Sequence, residues 1–367
     1  MLSACKTNFK TQLVESEYVK QSSDVFRIDR KAVLSLSVDE KNAVKEAAQA
    51  LSRGQLVGFP TETVYGLGAD AANEEALKKL YELKGRPSNH PVIVHLSSAD
   101  ELSKWCSDLP AAATELAKIF WPGPLTMVLK KGKHVLNQVT GGQDTVALRV
   151  PSHPVAQALL NEFGSGIAAP SANKFGKLSP TSADDVRSEF GNELAIVLDG
   201  GPSEVGIESS IVDLSGPEAR ILRPGMIQAE SIYLALAELG IKAAEPRPDD
   251  PRVPGSLPSH YAPGTPLRLV SSERFNQELE ELERSGTETA VLAFRPAPML
   301  HRNWLTATRF PEHYAHTLYR NLRKLDSLGA ELILLEEPPC EPEWEGIWDR
   351  LRKAAGMAEA GGGSDGS

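Results

Sequence analysis

A cluster of prolines late in the sequence limits how this chain can fold more than any other feature. Six of them lie between Ala243 and Pro263, at positions 246, 248, 251, 254, 258 and 263. Proline has a fixed φ angle and no amide hydrogen, so this density excludes a helix or a central strand. The cluster predicts an extended, semi-rigid linker that divides the chain into two folded parts. A length of 367 residues agrees with two domains, since a typical domain has roughly 100–200 residues.

Short apolar runs alternate with helical patterns before the linker. Continuous apolar runs, typical of buried strands, occur at residues 56–59, 92–96, 125–129, 146–150, 196–198 and 211–214. Apolar residues recur at helical spacing in the stretches 39–51, 73–85, 111–120, 154–160 and 182–190. Ser182 is placed to cap the last of these helices. The alternation predicts a layered α/β sheet domain.

The same alternation continues after the linker on a smaller scale. Strands are predicted at 267–270, 290–294 and 332–335, and helices near 273–284, 312–328 and 343–355. This pattern fits a small doubly wound α/β domain. We therefore expect a loose extension (1–26), an α/β domain (27–242), a linker (243–263), a second α/β domain (264–356) and a disordered Gly-Ser-rich tail (357–367).

Charge and cysteine content exclude several classes of protein. The chain carries 39 Lys and Arg against 49 Asp and Glu, a net charge of −10, so tight direct binding to tRNA or DNA is not expected. Cys5, Cys106 and Cys340 are scattered without a CxxC motif, which excludes a zinc finger and fits a reducing compartment. With no apolar run of about 20 residues and no secretory signal, we expect a cytoplasmic protein without a membrane span.

The first predicted strand leads into a predicted loop, residues 60–68, that is rich in hydroxyls and also contains a carboxylate and two glycines. Ligands bind beyond the carboxyl ends of strands in α/β sheets, which makes this segment a candidate site. Gly66 and Gly68 supply only two glycines of a dinucleotide fingerprint, so a Rossmann cofactor role is disfavoured.

Cations follow two of the predicted elements. Lys84 and Arg86 lie at the end of a helix, where they could complement the helix dipole or form a phosphate clamp. Arg149 ends a buried strand, and a buried charge needs a partner. That partner could be a substrate carboxylate or a structural salt bridge, and the sequence leaves both open.

Small and polar residues mark further strand ends. Ser171 and Asn173 lie in the segment 168–173, which follows another strand. There they could close a turn or lie against a ligand. The flanks of Ser171 lack the nucleophile elbow of serine hydrolases. Ser209 and Arg223 add a hydroxyl and a cation. Several cations and hydroxyls in an acidic protein indicate a focused pocket for an anionic substrate.

Seven segments identify a family resemblance. In order, they are PTETVYGLG, KGRPSNHPVIVH, FWPGPLTMVL, TVALRVPSHP, APSANKFGKLSPT, GIESSIVDL and ILRPG, and they resemble the YrdC-like threonylcarbamoyl-AMP synthases over residues 40–230. The later segments SHYAP, LYRNLRKLD and DRL resemble the long form of that family, which has a C-terminal Rossmann-like domain. The resemblance implies a twisted mixed-sheet YrdC-like domain followed by that smaller domain.

The resemblance also implies an activity. Members condense L-threonine, bicarbonate or carbon dioxide, and ATP to threonylcarbamoyl-AMP and pyrophosphate. Other proteins, the tRNA threonylcarbamoyl-transfer machinery, then use this product to modify adenosine in ANN-decoding tRNAs. The acidic composition agrees with a nucleotide and an amino acid as substrates in place of the tRNA itself.

Site residues are implied by matching positions in the family motifs. The L-threonine contacts fall on Thr63, His95, Arg149, Ala169 and Ser209. The ATP contacts fall on Lys84, Arg86, His90, Thr145, Ser171, Asn173, Ser179, Arg223 and Tyr261. His90 stands where relatives commonly have asparagine, and both side chains form hydrogen bonds.

The implied chemistry needs positioned charge and no covalent enzyme intermediate. Lys84 and Arg86 would stabilise charge on the phosphates, and Ser171 and Asn173 would orient them. We expect Mg²⁺ to accompany ATP, although no protein ligand for a metal is identifiable.

The linker and two rival functions complete the expectations. Tyr261 would reach the nucleotide, which makes the linker a lid over a labile product, or else a mere spacer. A carbamoyl-adenylate maturation enzyme shares this fold, but such proteins add zinc-finger regions that the cysteines exclude. The alternative outside enzymes is a nucleic-acid-binding YrdC-like module, which would need a basic face.

Overall fold

A computed structural model of the chain describes residues 36–255, 260–298 and 301–356. The predicted extension (1–26) and tail (357–367) lie outside the described residues, as do residues 256–259 of the linker. Within the described ranges, no helix has the length and apolar composition needed to cross a lipid bilayer.

The first domain alternates strands and helices. Its strands are β1 (Val57–Phe59), β2 (Gly66–Asp70), β3 (Ile93–His95), β4 (Leu125–Lys130), β5 (Thr145–Arg149), β6 (Ile167–Ala168), β7 (Ser210–Asp213) and β8 (Arg220–Arg223). Its helices are α1 (Val38–Ser52), α2 (Glu74–Lys84), α3 (Leu102–Trp105), α4 (Ala111–Phe120), α5 (Asn137–Thr140), α6 (Pro154–Phe163), α7 (Ala183–Phe190) and α8 (Ala229–Ala237).

Local sequence explains where the main helices begin and end. Ser37 and Ser182 cap α1 and α7 through capping boxes, as predicted for Ser182. Asn73 accepts a hydrogen bond from the Ala76 amide at the start of α2. Gly85 ends α2 in the left-handed conformation (φ 62°), which turns the chain sharply before Arg86.

The eight strands form one mixed sheet in the order β1-β2-β6-β3-β5-β4-β7-β8. The pairs β3–β5 and β4–β7 are parallel, and the other neighbours are antiparallel. This confirms the predicted YrdC-like mixed-sheet domain.

The two faces of the sheet are covered differently. One face, with Leu67, Val94 and Leu148, packs against a large apolar core that includes α2, α4 and α8. On the opposite face, α1 and α6 cover the β1 side. Val253 of the linker covers the β4–β7 side of that face. Between these two covered parts, His95 and Arg149 lie side by side on the same face, in a strip that we call the site face.

The second domain has a four-stranded parallel sheet, β9 (Leu267–Val270), β10 (Thr289–Ala293), β11 (Trp304–Thr306) and β12 (Leu332–Glu336), in the order β11-β10-β12-β9. Its helices are α9 (Phe275–Ser285), α10 (Pro311–Asp326) and α11 (Glu345–Ala354). Residues of α9 pack on one face of this sheet, and residues of α10 and α11 pack on the other. The predicted doubly wound domain is confirmed.

One loop prediction and one strand prediction were wrong. The segment 60–68 does not stay a loop, because β2 begins at Gly66 and pairs with β1. The Phe59 ring lies against Gly66 and Gly68, where an added Cβ would come within 3.1 Å and 3.0 Å of it. The apolar run 196–198 forms only one isolated bridge, between Gly58 and Val197.

Candidate active site

One cavity lies on the site face and collects residues from segments far apart in the sequence. Nine of the predicted site residues line it: Thr63, Arg86, His95, Arg149, Ala169, Ser171, Ser209, Arg223 and Tyr261. Residues to which the sequence assigned no role also line it, among them Thr61, Glu208, Pro254, Gly255 and His260. The other predicted residues are outside the lining: Lys84, His90, Thr145, Asn173 and Ser179.

Arg149 has the structural salt bridge that the sequence left as one alternative. Its Nη2 lies 2.7 Å from Oε1 of Glu62, and both side chains are buried. Its Nη1 donates to Oγ1 of Thr63 (2.8 Å), and its Nε donates to the Gly123 carbonyl (3.2 Å). A guanidinium has five N–H donors, and these contacts use three of them. One N–H on each Nη atom therefore has no partner among the described residues. Arg149 can therefore keep Glu62 and still meet a ligand carboxylate.

Contacts of the Thr61 hydroxyl fix the turn that contains Thr63, the residue that bonds Arg149. Thr61 Oγ1 donates to the Val64 carbonyl (2.6 Å) and lies 2.8 Å from Thr63 Oγ1. Such Ser/Thr turns replace backbone hydrogen bonds with local side-chain bonds. Thr61 thus holds Thr63 toward Arg149.

His95 lies beside Arg149 because β3 and β5 pair in parallel with these two residues in register. It is 4% exposed, and its ring meets Phe59 edge to face. Burial, together with the charge of Arg149, lowers the pKa of His95 to about 3. The site therefore contains a neutral imidazole, and its Nδ1 has no partner among the described residues.

Ser209 and Arg223 form the opposite wall. Arg223 donates from Nε and Nη2 to the Ser209 carbonyl (3.0 and 2.9 Å) and from Nη2 to its hydroxyl (3.0 Å). The Ser209 hydroxyl also lies 2.7 Å from Thr126 Oγ1. These bonds connect β7 and β8 at the edge of the cavity and fix the Arg223 charge there.

Lys84 and Arg86 turn inward at the end of α2. Lys84 Nζ donates to the carbonyls of Ser171 and Asn173, and burial lowers the pKa of Lys84 well below its ordinary value. Arg86 Nη2 donates to the Pro91 carbonyl (2.8 Å), while its buried Nε has no partner among the described residues. Both cations thus face the interior instead of capping the helix in solvent.

The predicted residues outside the lining have other contacts. The half-buried His90 ring meets Phe175 edge to face, and the Asn173 amide donates to the Lys174 and Lys177 carbonyls. Thr145 begins β5 opposite Lys130, at the far end of the strand from Arg149. The buried Ser179 hydroxyl donates to Glu208.

The linker forms part of the cavity wall, through Pro254, Gly255, His260 and Tyr261. Arg223 Nη1 donates to the Pro254 carbonyl (2.8 Å), and the Ala262 amide donates to the Gly176 carbonyl (3.0 Å). Tyr261 is 1% exposed and has a positive φ of 60°. A Cβ on Gly255 would lie 2.1 Å from the Tyr261 hydroxyl, so only glycine allows this approach.

Glu62 and Glu208 are the main residues that the sequence did not predict. Burial alone would raise the pKa of Glu208, but the charges of Arg350 and Arg223 outweigh it and hold the pKa at about 2. The available signal was a carboxylate next to hydroxyl residues in each of two motifs, Glu62 in PTETVYGLG and Glu208 in GIESSIVDL.

Fold and site together define a class of protein. A mixed α/β sheet holds Arg86, Arg149 and Arg223 around a partly open cavity with hydroxyls and a neutral histidine. Clustered cations and hydroxyls in a cavity are typical of an enzyme that binds a small anionic substrate.

Comparisons with known proteins make the class specific. The family described as "Telomere recombination" matches residues 49–225, and "Threonylcarbamoyl-AMP synthase, C-terminal domain" matches residues 227–356. A threonylcarbamoyl-AMP synthase of Pyrococcus abyssi is 38% identical over 325 residues, 86% of this chain and 95% of the relative. One of Bacillus subtilis is 38% identical over 321 residues, 85% of this chain and 93% of the relative. The chain belongs to the two-domain threonylcarbamoyl-AMP synthase family.

A solved structure agrees with this assignment. The crystal structure of P. abyssi Sua5 complexed with L-threonine superposes with a TM-score of 0.80 at 36% identity. The match covers 86% of this chain and 95% of that one, so it includes both domains.

Proposed function

We propose that this chain condenses L-threonine, bicarbonate or carbon dioxide, and ATP to threonylcarbamoyl-AMP and pyrophosphate. The observation that carries the proposal is one cavity lined by two groups of residues, which we assign to its two ends. Arg149, Thr63 and His95 lie together and form the first group, and Arg86, Arg223 and Tyr261 form the second. The family membership and the threonine complex of the Pyrococcus abyssi relative support it.

The first end suits an amino acid. The remaining donors of Arg149 match a carboxylate in a bidentate fork. The hydroxyls of Thr63 and Ser209 offer hydrogen bonds to the rest of L-threonine. The neutral imidazole of His95 accepts a hydrogen bond from an amine or hydroxyl.

The second end suits a nucleoside triphosphate. Arg86 and Arg223 line the cavity as cations, and Lys84 places its charge on the loop that carries Ser171 and Asn173. Phosphates are bound in this way by fixed cations in a site of low dielectric constant. Tyr261 from the linker gives an aromatic surface beside them.

The reaction proceeds in two bond-forming steps. The threonine amine attacks carbon dioxide, forms a carbon–nitrogen bond and loses a proton to give a carbamate. A carbamate oxygen then attacks the α-phosphorus of ATP, whose bond to the bridging oxygen breaks and releases pyrophosphate. In both steps the chain positions the reactants, neutralises phosphate charge and excludes water from a labile mixed anhydride.

Magnesium fits this site only together with ATP. The described residues contain no group of three or more His, Cys, Asp or Glu side chains that could hold a metal ion. Glu208, a carboxylate in the lining, has both oxygens occupied by Ser179, Tyr319 and Arg350. We therefore propose that Mg²⁺ enters on the phosphates of ATP and keeps mainly phosphate and water ligands.

Pyrophosphate release tests the function directly. We expect purified protein with ATP and bicarbonate to release pyrophosphate only when L-threonine is present, and L-valine to be a poor replacement because it lacks the hydroxyl. Release that does not depend on the amino acid would contradict the proposal. Tight binding of tRNA without turnover would favour the nucleic-acid-binding module instead.

The product then requires a protein that consumes it. An acyl adenylate is a group donor, so we propose that tRNA threonylcarbamoyl-transfer machinery in the cytoplasm accepts the threonylcarbamoyl group. The net charge of −10 supports a donor that does not hold the tRNA itself.

A further inference from the structure

A buried charge network joins the two domains at the wall of the cavity, where Glu208 is a lining residue. Glu208 is 7% exposed, and its Oε2 accepts hydrogen bonds from Nε of Arg350 (2.8 Å) and from the Tyr319 hydroxyl (2.9 Å). Its Oε1 accepts the hydroxyl of Ser179. Arg350 lies on α11 and Tyr319 on α10. The second domain therefore satisfies a carboxylate that belongs to the first.

Arg350 contacts two segments of the first domain and the linker. Besides Glu208, its Nη1 donates to the Pro224 carbonyl (2.7 Å), next to Arg223. Its guanidinium lies 5.6 Å from the centre of the Tyr261 ring, within the range of a cation–π contact. Arg350 is 1% exposed. One side chain thus supports the linker and the segments that carry Glu208 and Arg223.

The backbones around this network come unusually close. A Cβ on Gly206 would lie 2.4 Å from the Ala315 carbonyl oxygen of α10. A Cβ on Gly346 of α11 would lie 2.8 Å from the Gly225 carbonyl oxygen. The Gly206 amide in turn donates to the Thr63 carbonyl (3.1 Å). The second domain therefore presses on the same loops that form the cavity.

Stability alone does not explain a buried ion pair at this place. Removing two charges from water costs about as much as their attraction returns, and apolar residues often replace such a pair without loss. An apolar pair could not, however, hold Ser179, Tyr261 and the segment after Arg223 in fixed directions. Outside its own helix, the bonds of Arg350 end on Glu208 and Pro224. Glu208 accepts the hydroxyl of Ser179, and Pro224 follows Arg223, so two of the implied ATP contacts depend on Arg350.

We propose that Arg350 is a positioning residue for ATP, which acts through Glu208, Pro224 and Tyr261 although it belongs to the second domain. This inference rests on the proposed function for the identity of the ligand.

The first test separates positioning from folding. Arg350→Lys keeps the charge but cannot bond Glu208 and Pro224 together, and it has no flat face for Tyr261. We expect the KM for ATP to rise at least tenfold and the KM for L-threonine to change less than threefold. A folding defect would lower only the amount of active protein and leave both KM values unchanged. Unchanged KM values, or equal rises in both, would overturn the proposal.

A second variant removes both members of the Glu208–Arg350 ion pair, so that neither is left buried without the other. Glu208→Gln with Arg350→Met removes both charges of the pair, keeps an amide for Ser179 and Tyr319, and leaves Asp349 paired with Lys353. We expect this protein to melt cooperatively and still to show the raised KM for ATP. A KM for ATP that returns to the wild-type value would mean that Arg350 serves only to neutralise Glu208.

A matched control tests whether any loosened interface has the same effect. His316 Nδ1 lies 3.0 Å from the Glu204 carbonyl and joins the domains away from the cavity lining. His316→Ala should leave both KM values unchanged. A rise in the KM for ATP equal to that of Arg350→Lys would overturn the specific role of Arg350.

Calorimetric titration of ATP keeps this inference distinct from the proposed function. If wild-type protein binds ATP but releases no threonine-dependent pyrophosphate, the proposed function fails, and weaker ATP binding by Arg350→Lys still supports positioning. Equal ATP affinity in the two proteins would overturn the inference even if turnover is normal. If wild-type protein binds no ATP, both fail.

Discussion

Arg149 shows how one side chain serves the fold and the substrate together. Its contacts with Glu62, Thr63 and Gly123 fix the guanidinium before any ligand arrives. Pre-set donors lose little conformational entropy on binding. The buried pair thus orients the group that meets a carboxylate.

Arg149→Lys should weaken L-threonine more than ATP. Lysine keeps the charge but cannot face Glu62 and a ligand carboxylate with a planar fork. We expect L-threonine affinity to fall at least tenfold, as a lost charged hydrogen bond is worth about 1.5–3 kcal/mol. Calorimetric titration of each substrate gives the answer. Equal losses for both, or none for L-threonine, would restrict Arg149 to its salt bridge.

Replacing Arg86 or Lys84 with alanine should reduce pyrophosphate release more than tenfold. Arg86 would lose its phosphate contact, and loss of Lys84 would also release the Ser171 and Asn173 carbonyls. Lys78→Ala is the matched control, since Lys78 is exposed on the same helix. Wild-type turnover in both test variants would show that these cations only complete the end of α2.

Acid should destabilise the protein through its buried histidines. Burial holds the pKa of His95 and of His260 at about 3, against an ordinary value of 6.5. Between these values the unfolded chain binds more protons, so stability is complete above pH 6.5 and falls as the pH drops toward 3. At pH 5 this costs about 2 kcal/mol for each histidine.

His95→Asn should therefore melt with a weaker pH dependence than wild type. Melting curves between pH 7 and pH 5 measure this, with the exposed His313→Asn as control. The same slope in wild type and His95→Asn would mean that His95 takes up its proton without unfolding the chain.

The sequence predicted the cationic residues of the site but not the acidic residues that pair with them. Motif positions placed Arg86, Arg149 and Arg223 at strand and helix ends, and the structure gathers them in one cavity. Glu62 and Arg149 are far apart in the chain, and their pairing depends on sheet order. A single sequence does not contain that information, so Glu62 and Glu208 had no predicted role.

At the scale of elements, the linker follows the surface of the first domain closely. Val253 packs against Ile93, Ala147 and Ile211, and Arg252 Nη2 donates to the Gly141 carbonyl (3.0 Å). The prolines that exclude helix and strand thus produce a segment that is ordered by side-chain contacts. Whether it acts as a lid remains a prediction.

Trypsin should report whether the linker responds to ATP. Arg252–Val253 is a cleavable bond, whereas Arg247–Pro248 is not. With ATP bound, we expect cleavage after Arg252 to slow at least fivefold because Tyr261 and Pro254 gain a ligand. Cleavage after the exposed Lys133 is the internal control. Equally fast linker cleavage with and without ATP would make the linker a spacer.

Helices with a clear apolar periodicity were predictable from the sequence. Strands whose formation depends on contacts with neighbouring elements were not. Helices such as α4 and α10 follow apolar spacing, and their predicted bounds agree closely with the structure. Strand β2 is glycine-rich and exists because Phe59 packs on it. The apolar run 196–198 is half-buried beside β1 and forms a single bridge instead of a full strand.

At the scale of the whole molecule, the two domains share one core. Val64, Leu178 and Ile207 of the first domain pack with α10 and α11 residues of the second. The fold class and the family were predictable because motifs span both domains. The shared core was not predictable, since an amphipathic pattern shows that a face is buried but not which surface packs against it.

A chain ending before Ala243 should lose both stability and turnover. It would expose Val64, Leu178 and Ile207 to water and leave Glu208 without Arg350. We expect less than one hundredth of the full-length activity, a lower melting temperature and increased binding of a hydrophobic dye. Full activity in this fragment would mean that the first domain forms the site alone.

The position of Arg350 on α11 also has a consequence for the timing of synthesis. A ribosome delivers Thr63 early and Arg350 almost three hundred residues later, and domains form during translation in that order. The first domain can fold while Glu208 still lacks its ion-pair partner Arg350. The nascent chain should therefore stay unable to make a reactive adenylate until α11 has emerged and docked, so that catalysis begins only on a finished molecule.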